Sequence, residues 1–385
     1  MSEDKQLTDG LHEFQRMFNP IIDKVLDNSL ESDYNVLRST LNKMFNYNVG
    51  DLEVDGFARI LIVAYSVMTG HKPGDHKFDD RVYPMSWAIE LTKFYFDILD
   101  DVMDGSDTRR GQPCWHTLPT VGMSALNDST IVLSAIYKII KLYFSDHQNY
   151  VEIVHCVQEF IEKTAYGQML DMQFSRSLNS NVDLNLYNYT NYRLITKSKY
   201  ASISTGSFLL AMYISGQSSY DHLDKIDDIL TTLSVLQGVT NDLEDFQTDG
   251  TDIVEGKCSW LYVRALQLAN NSQKSLLLAN YGLKDPSAVQ LIKQLYDELD
   301  IKNESKEFVK RELIVMKQKY LDNSTDDTIF YQLINKFSHM IANNRTGIKS
   351  NDCYICSSPC SAYYCCSGSY PQCCLVGGQC RCCSR

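Results

Sequence analysis

Apolar side chains recur along most of the chain at steps of three and four residues. Between residues 85 and 103 the residues at such steps are Trp87, Leu91, Phe94, Ile98 and Val102. This is the period of an α-helix with one buried face, and strict alternation at period two is scarce. Similar stripes occur at 131–144, 151–166, 203–214, 226–243, 260–268, 288–299 and 307–320. The pattern predicts an all-α protein.

Segments rich in Gly, Pro and polar residues separate these stripes. They lie at 70–74, 104–119, 177–185, 216–222 and 248–256. Nothing before residue 342 has the composition of a flexible linker, so about ten or more helices are expected to share one domain. The predicted organisation is an N-terminal helical extension at 1–29, a helical domain at 30–345 and an irregular Cys-rich tail at 346–385.

The charge balance excludes one large class of partner. The chain has 36 basic and 48 acidic side chains, which give a net charge of −12. A nucleic-acid binder needs a basic face, so no nucleic-acid partner is expected. The N-terminus is polar and acidic, which argues against a signal or transit peptide. No apolar run reaches membrane-spanning length, and we therefore expect a cytoplasmic protein without a membrane span.

The cysteines are distributed very unevenly. Ten of the thirteen lie between Cys353 and Cys383, which leaves Cys114, Cys156 and Cys258 for the rest of the chain. This split indicates a reduced, intracellular body with a separate tail. The tail is open to three interpretations: a disulfide knot, a thiolate metal cluster, or a translated segment that is not normally part of the protein. We expect it to be disordered and to have no catalytic role.

Four aspartates crowd the end of the helix predicted at 85–103. They are Asp97, Asp100, Asp101 and Asp104. The helical period places the first, second and fourth on one face, with the third beside them. Oxygen donors without nearby His or Cys favour Mg²⁺ or Mn²⁺, although a solvated acidic helix end is the alternative. Arg109 and Arg110 follow, and guanidinium groups next to metal-binding carboxylates predict a diphosphate site.

A second polar cluster ends the stripe at 226–243. Asn241, Asp245 and Asp249 are spaced i, i+4, i+8, and Asp242 lies beside the first of them. This spacing lets three side chains of one helix face the same cation. The sequence therefore predicts a second metal-binding position here.

These motifs resemble those of a known family. Asp100-Asp101-Val-Met-Asp104, followed by Thr108-Arg-Arg-Gly-Gln-Pro-Cys-Trp115, is similar to the first aspartate-rich motif of the trans-isoprenyl diphosphate synthases, and of the farnesyl diphosphate synthase-like members in particular. Further matches are Gly167–Asp171, Lys199 before Ala211-Met-Tyr213, and Gly250–Ile253 with Lys257–Trp260. The similarity extends over residues 30–342.

The resemblance implies a fold, a cofactor and a set of roles. It implies a single-domain helical bundle around a deep central cavity, two aspartate-rich helices facing each other across its mouth, three Mg²⁺ ions per site with Mn²⁺ as the alternative, a prenyl diphosphate substrate and a homodimer. The implied metal ligands are Asp100, Asp101, Asp104, Asp171, Asn241, Asp242, Asp245 and Asp249. The implied catalytic residues are Arg109, Lys199, Lys257 and Gln168, and the cations among them, with Arg110, would bind the substrate diphosphate.

Two departures from the family pattern guide the prediction of function. After an early Tyr-Asn, here Tyr47-Asn48, the family has a Gly-Gly-Lys-x-x-Arg segment that holds isopentenyl diphosphate. In this chain Leu52, or Glu53 in a second register, takes the lysine position, and Asp55 takes the arginine position. Carboxylates there would repel a diphosphate. Asn241 replaces the first aspartate of the second motif, which then resembles the Asn/Ser/Glu metal triad of class I terpene synthases with acids in place of Ser and Glu.

The combination predicts a sesquiterpene synthase derived from a prenyltransferase, in the manner of some insect terpene synthases. Such an enzyme would ionise an allylic prenyl diphosphate, release diphosphate, and convert the cation to a cyclic or acyclic terpene. Tyr95, Phe96 and Tyr200 are expected to line the cavity and to favour farnesyl over geranyl diphosphate, with ordinary core packing as the alternative. The other functions left open are a short-chain prenyltransferase making geranyl or farnesyl diphosphate, and a catalytically silent paralogue.

Overall fold

The structure is a computed structural model that describes most of the helical body and four short segments of the Cys-rich tail. The described ranges are residues 3–30, 32–49, 56–176, 183, 186–248, 250–321, 330–335, 353–355, 364–366, 372–376 and 379–383. Three of the features discussed above, the segment 50–55, Asp249 and most of the tail, lie outside them.

Within the described ranges the body is built almost entirely of α-helices, which confirms the all-α prediction. In chain order the helices are α1 (Glu3–Arg16), α2 (Phe18–Ser29), α3 (Arg38–Val49), α4 (Phe57–Thr69), α5 (Val82–Asp104), α6 (Ala125–Phe144), α7 (Tyr150–Arg176), α8 (Tyr189–Thr196), α9 (Ser202–Ile214), α10 (Leu223–Gln247), α11 (Thr251–Glu255), α12 (Trp260–Leu268), α13 (Asn271–Asn280), α14 (Pro286–Glu298) and α15 (Ile301–Leu321). A π-helical turn, Lys197–Ala201, joins α8 to α9.

The chain divides into two compact units. The first consists of Met1–Gln168 and Ser198–Asp224, and the second of Met169–Lys197 and Lys225–Arg385. The boundaries predicted from the sequence, at residues 29 and 345, differ from this division and stay predictions.

Helix α5 is the central element of the first unit, where it packs against α4, α6 and α9. The predicted stripe is buried as expected at Trp87, Leu91, Phe94 and Ile98, while Val102 at the end of the helix is half-buried. Burial of large apolar side chains at helical spacing is the main stabilising contribution in a helix of this kind. The stripe therefore holds the acidic end of α5 against the rest of the unit.

The N-terminal helix α1 is anchored to α5 by aromatic packing. The rings of Phe14 and Trp87 stack with centroids 4.3 Å apart and an interplanar angle of 11°, and Phe18 contacts the same indole. The indole Nε1 of Trp87 donates to the backbone oxygen of Phe14 at 2.7 Å. Both aromatic rings of the stack are at most 2% exposed. The predicted helical extension thus contributes core residues to the first unit.

Several helices of the second unit begin at residues whose side chains cap them. Ser259 accepts from the Tyr262 N–H at the start of α12, and Asp285 accepts from the Ser287 N–H beside Pro286 in α14. Asn270 and Gln273 form a complete capping box before α13. Such side chains satisfy N–H groups that the first helical turn leaves unpaired, so the helix starts follow from local sequence.

The described parts of the tail correct the expectation of an irregular segment. β3 (Cys353–Ile355) pairs antiparallel with β4 (Tyr364–Cys366), and β5 (Gln372–Val376) pairs antiparallel with β6 (Gln379–Cys383). Earlier in the chain, the helical body contains the two short strands β1 (Thr108–Arg109) and β2 (Gln112–Pro113). Gly377 and Gly378 connect the last two strands, and Gly-Gly is a sequence signal for a two-residue hairpin that our prediction did not use. The remaining tail residues lie outside the described part, and the predicted disorder is untested there.

The three cysteines of the body are buried free thiols. Cys114, Cys156 and Cys258 are at most 7% exposed, and burial raises the pKa of each thiol to about 12. Among the described residues, no helix is both long enough and apolar enough to cross a membrane.

Candidate active site

The first acidic cluster lies where α5 ends. Gly105, with φ of +67°, follows Asp104 and donates its N–H to the backbone oxygen of Asp101. The left-handed conformation costs glycine least, which explains why the helix ends here. The side chain of Asp101 is 6% exposed, and those of Asp97 and Asp100 are 17% and 22% exposed. Carboxylates at this degree of burial require counter-charges.

A short antiparallel hairpin brings two arginines back to this helix end. β1 (Thr108–Arg109) pairs with β2 (Gln112–Pro113) across a two-residue turn. The turn residues, Arg110 and Gly111, have φ of +54° and +75°. Positive φ at both central positions is the type I′ geometry, whose twist matches that of paired strands. The turn therefore fixes the direction in which both arginine side chains leave the backbone.

Arg109 is the main counter-ion of the cluster. Its Nε donates to Asp101 Oδ1 at 2.8 Å, and its Nη2 lies 2.7 Å from that oxygen and 3.3 Å from Asp100 Oδ2. Burial alone would lower the pKa of Arg109, but Asp97, Asp101 and Asp100 outweigh burial and raise it. Burial also raises the pKa of Asp101, against the opposing effect of Arg109. The guanidinium is thus held charged and oriented by three carboxylates.

Asp100 is the point at which further predicted residues meet. Gln168 Nε2 donates to Asp100 Oδ1, and Lys199 Nζ lies 3.8 Å from the same oxygen. Gln168 is 6% exposed, and its Oε1 has no hydrogen-bond partner among the described residues. In the first unit the structure therefore brings Asp100, Arg109, Lys199 and Gln168 together. Their catalytic and binding roles stay predictions.

Lys199 owes its position to an irregular turn and a close helix contact. It lies in the π-helical turn Lys197–Ala201, where one extra residue is accommodated, and such turns are frequent at functional sites. Gly167 of α7 faces this turn. A Cβ on Gly167 would lie 2.7 Å from the Lys199 backbone N and 2.9 Å from the Ser198 carbonyl carbon. Only glycine permits this approach, which fixes the Lys199 backbone against α7.

The aromatic residues predicted to contact substrate are neighbours in sequence of Asp100 and Lys199. Tyr95 is half-buried and Phe96 is 9% exposed, and their rings meet edge to face at 4.8 Å. The Nζ of Lys199 lies 6.0 Å from the ring centroid of Tyr200. Their role in lining a substrate cavity stays a prediction.

The second acidic cluster is engaged with helix N-termini in the second unit. Asp242 Oδ2 accepts from the Trp260 N–H at 2.7 Å, the first residue of α12. Burial raises the pKa of Asp242 to about 7, with Asp245 and Asp171 adding to the rise. Asp171, on α7, is 9% exposed. Burial and the neighbouring carboxylates therefore favour the neutral form of Asp242.

Asp245 caps the start of α11. Its Oδ1 accepts from the backbone N and the hydroxyl of Thr251 at 2.9 and 2.5 Å, and its Oδ2 accepts from the Asp252 N–H at 3.1 Å. Asn241 is exposed and accepts from Gln237 at 2.8 Å. Asp249 lies outside the described residues. A carboxylate has several lone pairs, so capping does not exclude metal binding, but sequence spacing alone did not reveal this capping role.

Lys257 lies on the loop between α11 and α12. Its Nζ is 2.7 Å from Glu255 Oε2. Buried tyrosines fix the loop backbone: Tyr281 OH donates to the Lys257 oxygen at 2.7 Å, and Tyr187 OH donates to the Gly256 oxygen at 3.1 Å. The predicted diphosphate-binding lysine is therefore attached to a rigid aromatic cluster.

The predicted metal ligands fit Mg²⁺ by donor chemistry but do not form a complete protein cage. Among the described residues, no group of three or more His, Cys, Asp or Glu side chains converges closely enough to hold a metal ion. Mg²⁺ in phosphate-processing enzymes is commonly held by one or two carboxylates, and waters and substrate phosphates complete its shell. Asp100 and Asp104, at the exposed end of α5, are the ligands of the first unit that suit this arrangement.

The segment that carries the main departure from the family pattern, residues 50–55, lies outside the described residues. Its two flanks are described. Tyr47 OH donates to the Pro113 oxygen of β2 at 2.8 Å, and Glu90 Oε1 accepts from the Ala58 N–H at 2.9 Å at the start of α4. The substitutions at Leu52, Glu53 and Asp55 are therefore sequence facts without a structural description.

Sequence reasoning missed the ion pairs made by Asp97 and Lys93 of α5. Asp97 was recognised only as a member of the acidic cluster, but its carboxylate is an ion-pair partner of Lys93, Arg109 and Arg110. The i, i+4 spacing of Lys93 and Asp97 is a signal that could have suggested this pair. Arg110, which the resemblance implies binds substrate, donates to Asp97. Its role in substrate binding stays a prediction.

Comparison with known proteins identifies the family of the chain. A family model described as polyprenyl synthetase matches residues 39–299. The chain belongs to the polyprenyl synthetase family. The matched region contains the predicted catalytic and diphosphate-binding residues of both units.

Curated members of the polyprenyl synthetase family are similar over most of the chain. Farnesyl pyrophosphate synthase 1 of Cannabis sativa is 34% identical over 299 residues, which cover 76% of this chain and 86% of the relative. The mitochondrial farnesyl pyrophosphate synthase 1 of Arabidopsis thaliana is 34% identical over 309 residues, 77% of this chain and 73% of the relative. The chloroplastic bifunctional chrysanthemol synthase of Tanacetum cinerariifolium is 36% identical over 277 residues, 69% of this chain and 68% of the relative.

Proposed function

We propose that this polyprenyl synthetase family member is a Mg²⁺-dependent enzyme that ionises an allylic prenyl diphosphate. The observation that carries the proposal is the convergence on Asp100 of Arg109, Lys199 and Gln168. Arg109 and Lys199 are partly desolvated cations next to a carboxylate at the end of α5, and Gln168 adds a neutral amide donor. Such an arrangement is suited to a group that leaves with several negative charges.

Arg109 and Lys199 would contact the departing diphosphate, and Lys257 would contact it from the loop anchored by Tyr281. Their side chains are held by ion pairs with Asp101, Asp100 and Glu255 before substrate arrives, so little reorganisation accompanies binding. Bound Mg²⁺ would supply charge neutralisation for the diphosphate oxygens. Asp100, Asp101 and Asp104, with Asp171, Asn241, Asp242, Asp245 and Asp249, are the proposed source of its protein ligands.

The first candidate for the complete reaction is a short-chain prenyltransferase that makes geranyl or farnesyl diphosphate. Two relatives named above carry the name farnesyl pyrophosphate synthase, and each is similar over about three quarters of this chain. These names support the alternative weighed in the sequence analysis better than its main prediction. Such an enzyme would add isopentenyl diphosphate to the allylic cation.

The second candidate is a sesquiterpene synthase, which carries out ionisation without coupling. Two observations of this chain favour it: the absence of cations at residues 52 and 55, and the ion pair that engages Arg110 with Asp97. One relative is named chrysanthemol synthase, so names in this family are not confined to farnesyl pyrophosphate synthase. Farnesyl diphosphate would be its first substrate and geranyl diphosphate its second.

One pair of incubations separates the candidates. Purified enzyme with Mg²⁺ receives either farnesyl diphosphate alone or dimethylallyl diphosphate with labelled isopentenyl diphosphate. Label in a longer prenyl diphosphate supports the prenyltransferase, whereas hydrocarbons or alcohols from farnesyl diphosphate alone support the terpene synthase. Asp100→Ala should reduce either activity by about 10²-fold or more, since it removes the residue on which the site converges. Absence of both products, with correctly folded protein, would instead indicate a silent paralogue.

Three further expectations belong to the same proposal. Chelation of Mg²⁺ should abolish turnover, and Mn²⁺ should restore part of it.

A homodimer is expected, and sedimentation equilibrium would test it. A cytoplasmic location stays a proposal. Two relatives are named as chloroplastic and mitochondrial proteins, so microscopy of the tagged full chain is the appropriate measurement.

A further inference from the structure

Asp97 of α5 faces three positively charged side chains. Its Oδ2 lies 2.6 Å from Arg110 Nη2 and 3.7 Å from Lys93 Nζ, and its Oδ1 lies 3.5 Å from Arg109 Nη1. The side chain is 17% exposed. One carboxylate therefore faces three cations in a partly desolvated position, where charge interactions are stronger than in water.

The partners of these cations differ. Arg109 also pairs with Asp100 and Asp101, so Asp97 is one of its three carboxylate partners. For Lys93 and Arg110, the ion pairs found within the described part of the chain are those with Asp97. Asp97 is therefore the residue that engages this particular pair of cations.

The backbone adds to the observation. Arg110 is a non-glycine residue with φ of +54°, in the hairpin turn that follows β1. A left-handed conformation is unfavourable for an L-residue, and it persists only where surrounding contacts compensate. The short hydrogen bond between Arg110 Nη2 and Asp97 is such a contact. The turn thus directs the Arg110 guanidinium towards Asp97, although the side chain remains 45% exposed.

We propose that Asp97 is a built-in anion that fills a diphosphate-class binding position formed by Lys93 and Arg110. Its carboxylate oxygens take the place that phosphate oxygens would otherwise occupy between an ammonium and a guanidinium group, both of which bind carboxylate and phosphate alike. Asp97 then acts as a specificity-determining residue, because an external diphosphate reaches this pair only by displacing a tethered competitor.

The inference deepens the proposed function, on which it rests for the ligand class. It does not depend on which candidate reaction is correct. A filled position at Lys93 and Arg110 lowers the affinity for a second diphosphate in a prenyltransferase, and it removes that affinity in a terpene synthase. The consequence that can be measured directly is binding of an anion without turnover.

The test is calorimetric titration of inorganic diphosphate into the full chain in EDTA, for the wild type and Asp97→Asn. Removal of the carboxylate should lower the dissociation constant by about tenfold or more, because two cations lose their internal partner. Adding Lys93→Met to Asp97→Asn should reverse the gain. Asp221→Asn removes the same charge from an exposed position of the first unit and should leave the affinity unchanged.

The opposing result is equally specific. Equal affinities in the wild type and Asp97→Asn, or a gain that survives Lys93→Met, would overturn the proposal. If the Asp97→Asn variant gives no cooperative melting transition, inorganic diphosphate should restore one by replacing the missing anion. Failure to restore the transition at millimolar diphosphate also contradicts the proposal. The proposed function is judged separately by turnover, so a catalytically silent chain with tighter diphosphate binding would refute only the function.

Discussion

At the scale of single residues, the ion pair between Asp101 and Arg109 illustrates how a predicted metal ligand can also be structural. Asp101 is the most buried aspartate of the first cluster, and two nitrogens of Arg109 contact the same Oδ1. Breaking a buried pair leaves the remaining partner without compensation, which costs more than the pair itself contributes. The burial of Asp101 makes it less accessible to a metal than Asp100 or Asp104.

We expect Asp101→Asn to lower the free energy of unfolding by about 1–3 kcal/mol, because Arg109 loses its best-aligned acceptor but keeps Asp100 and Asp97. Urea denaturation followed by circular dichroism would measure the change. Asp107→Asn, at an exposed position nearby, is the matched control and should alter stability by no more than about 0.5 kcal/mol. Equal effects of the two substitutions would show that the pair is not stabilising.

Glu90 gives a pH-dependent prediction. Burial raises the pKa of Glu90, although the Ala58 N–H, Lys93 and Arg110 oppose the rise. Because its pKa in the folded state exceeds the unfolded value, the folded protein retains the proton longer. Its stability therefore falls as the pH rises from the unfolded pKa through the folded one.

The substitution Glu90→Gln removes this titration while keeping an oxygen for the Ala58 N–H. We expect the variant to gain stability relative to the wild type as the pH is raised from about 5.5 to about 8. Thermal melting of both proteins across this range is the measurement. A difference that stays constant with pH would contradict the assignment.

At the scale of secondary-structure elements, the contact between α7 and the π-helical turn positions Lys199. We expect Gly167→Ala to displace the Lys199 backbone, since the new Cβ would lie within 2.9 Å of backbone atoms on the facing turn. Overpacking should lower stability by about 1–3 kcal/mol, and misplacement of Lys199 should reduce kcat by about tenfold or more.

The matched control for this prediction is Gly206→Ala in α9, whose Cβ would meet the Phe160 ring of α7 at 2.4 Å. It overpacks α7 against α9, the helix that follows the π-helical turn, and the contacts of its new Cβ do not include Lys199. It should therefore lower stability without a comparable loss of kcat. A parallel loss of activity in both variants would assign the effect to general destabilisation.

The N-terminal helix is expected to be an integral part of the first unit. Phe14→Ala should lower the free energy of unfolding by about 3–5 kcal/mol, because it removes a buried ring stacked on Trp87. Chemical denaturation monitored by tryptophan fluorescence would report it. His12→Ala, at an exposed position of α1, is the control and should have little effect. An unchanged Phe14→Ala protein would show that α1 is only loosely attached.

The elements also show what the sequence could and could not predict. Periodicity was sufficient for α5, whose buried positions repeat over six turns. The hairpin at Thr108–Pro113 was missed because strands of two residues carry no period. The π-helical turn was missed because it differs from an α-helix by one residue, and that difference depends on Gly167 of another helix. The first site was predicted from charge, but its ion-pair partners depend on the turn that returns Arg109 and Arg110.

At the scale of the whole molecule, the tail is expected to be dispensable for chemistry. The family match ends at residue 299, and the described tail strands pair with one another. Deletion of residues 346–385 should leave kcat and KM within about twofold of the full chain, because segments outside the packed core tolerate removal. Steady-state kinetics of the two proteins would test this, and a large loss of activity would assign the tail a role.

The burial of the three body cysteines has a practical consequence for the whole chain. A thiol with a pKa of about 12 is almost entirely protonated at neutral pH, and the thiolate is the reactive form. Cys114, Cys156 and Cys258 should therefore be inert towards maleimides or iodoacetamide while the body is folded. Delayed labelling of these three thiols, in a chain from which residues 346–385 are deleted, would provide a clock for unfolding of the body.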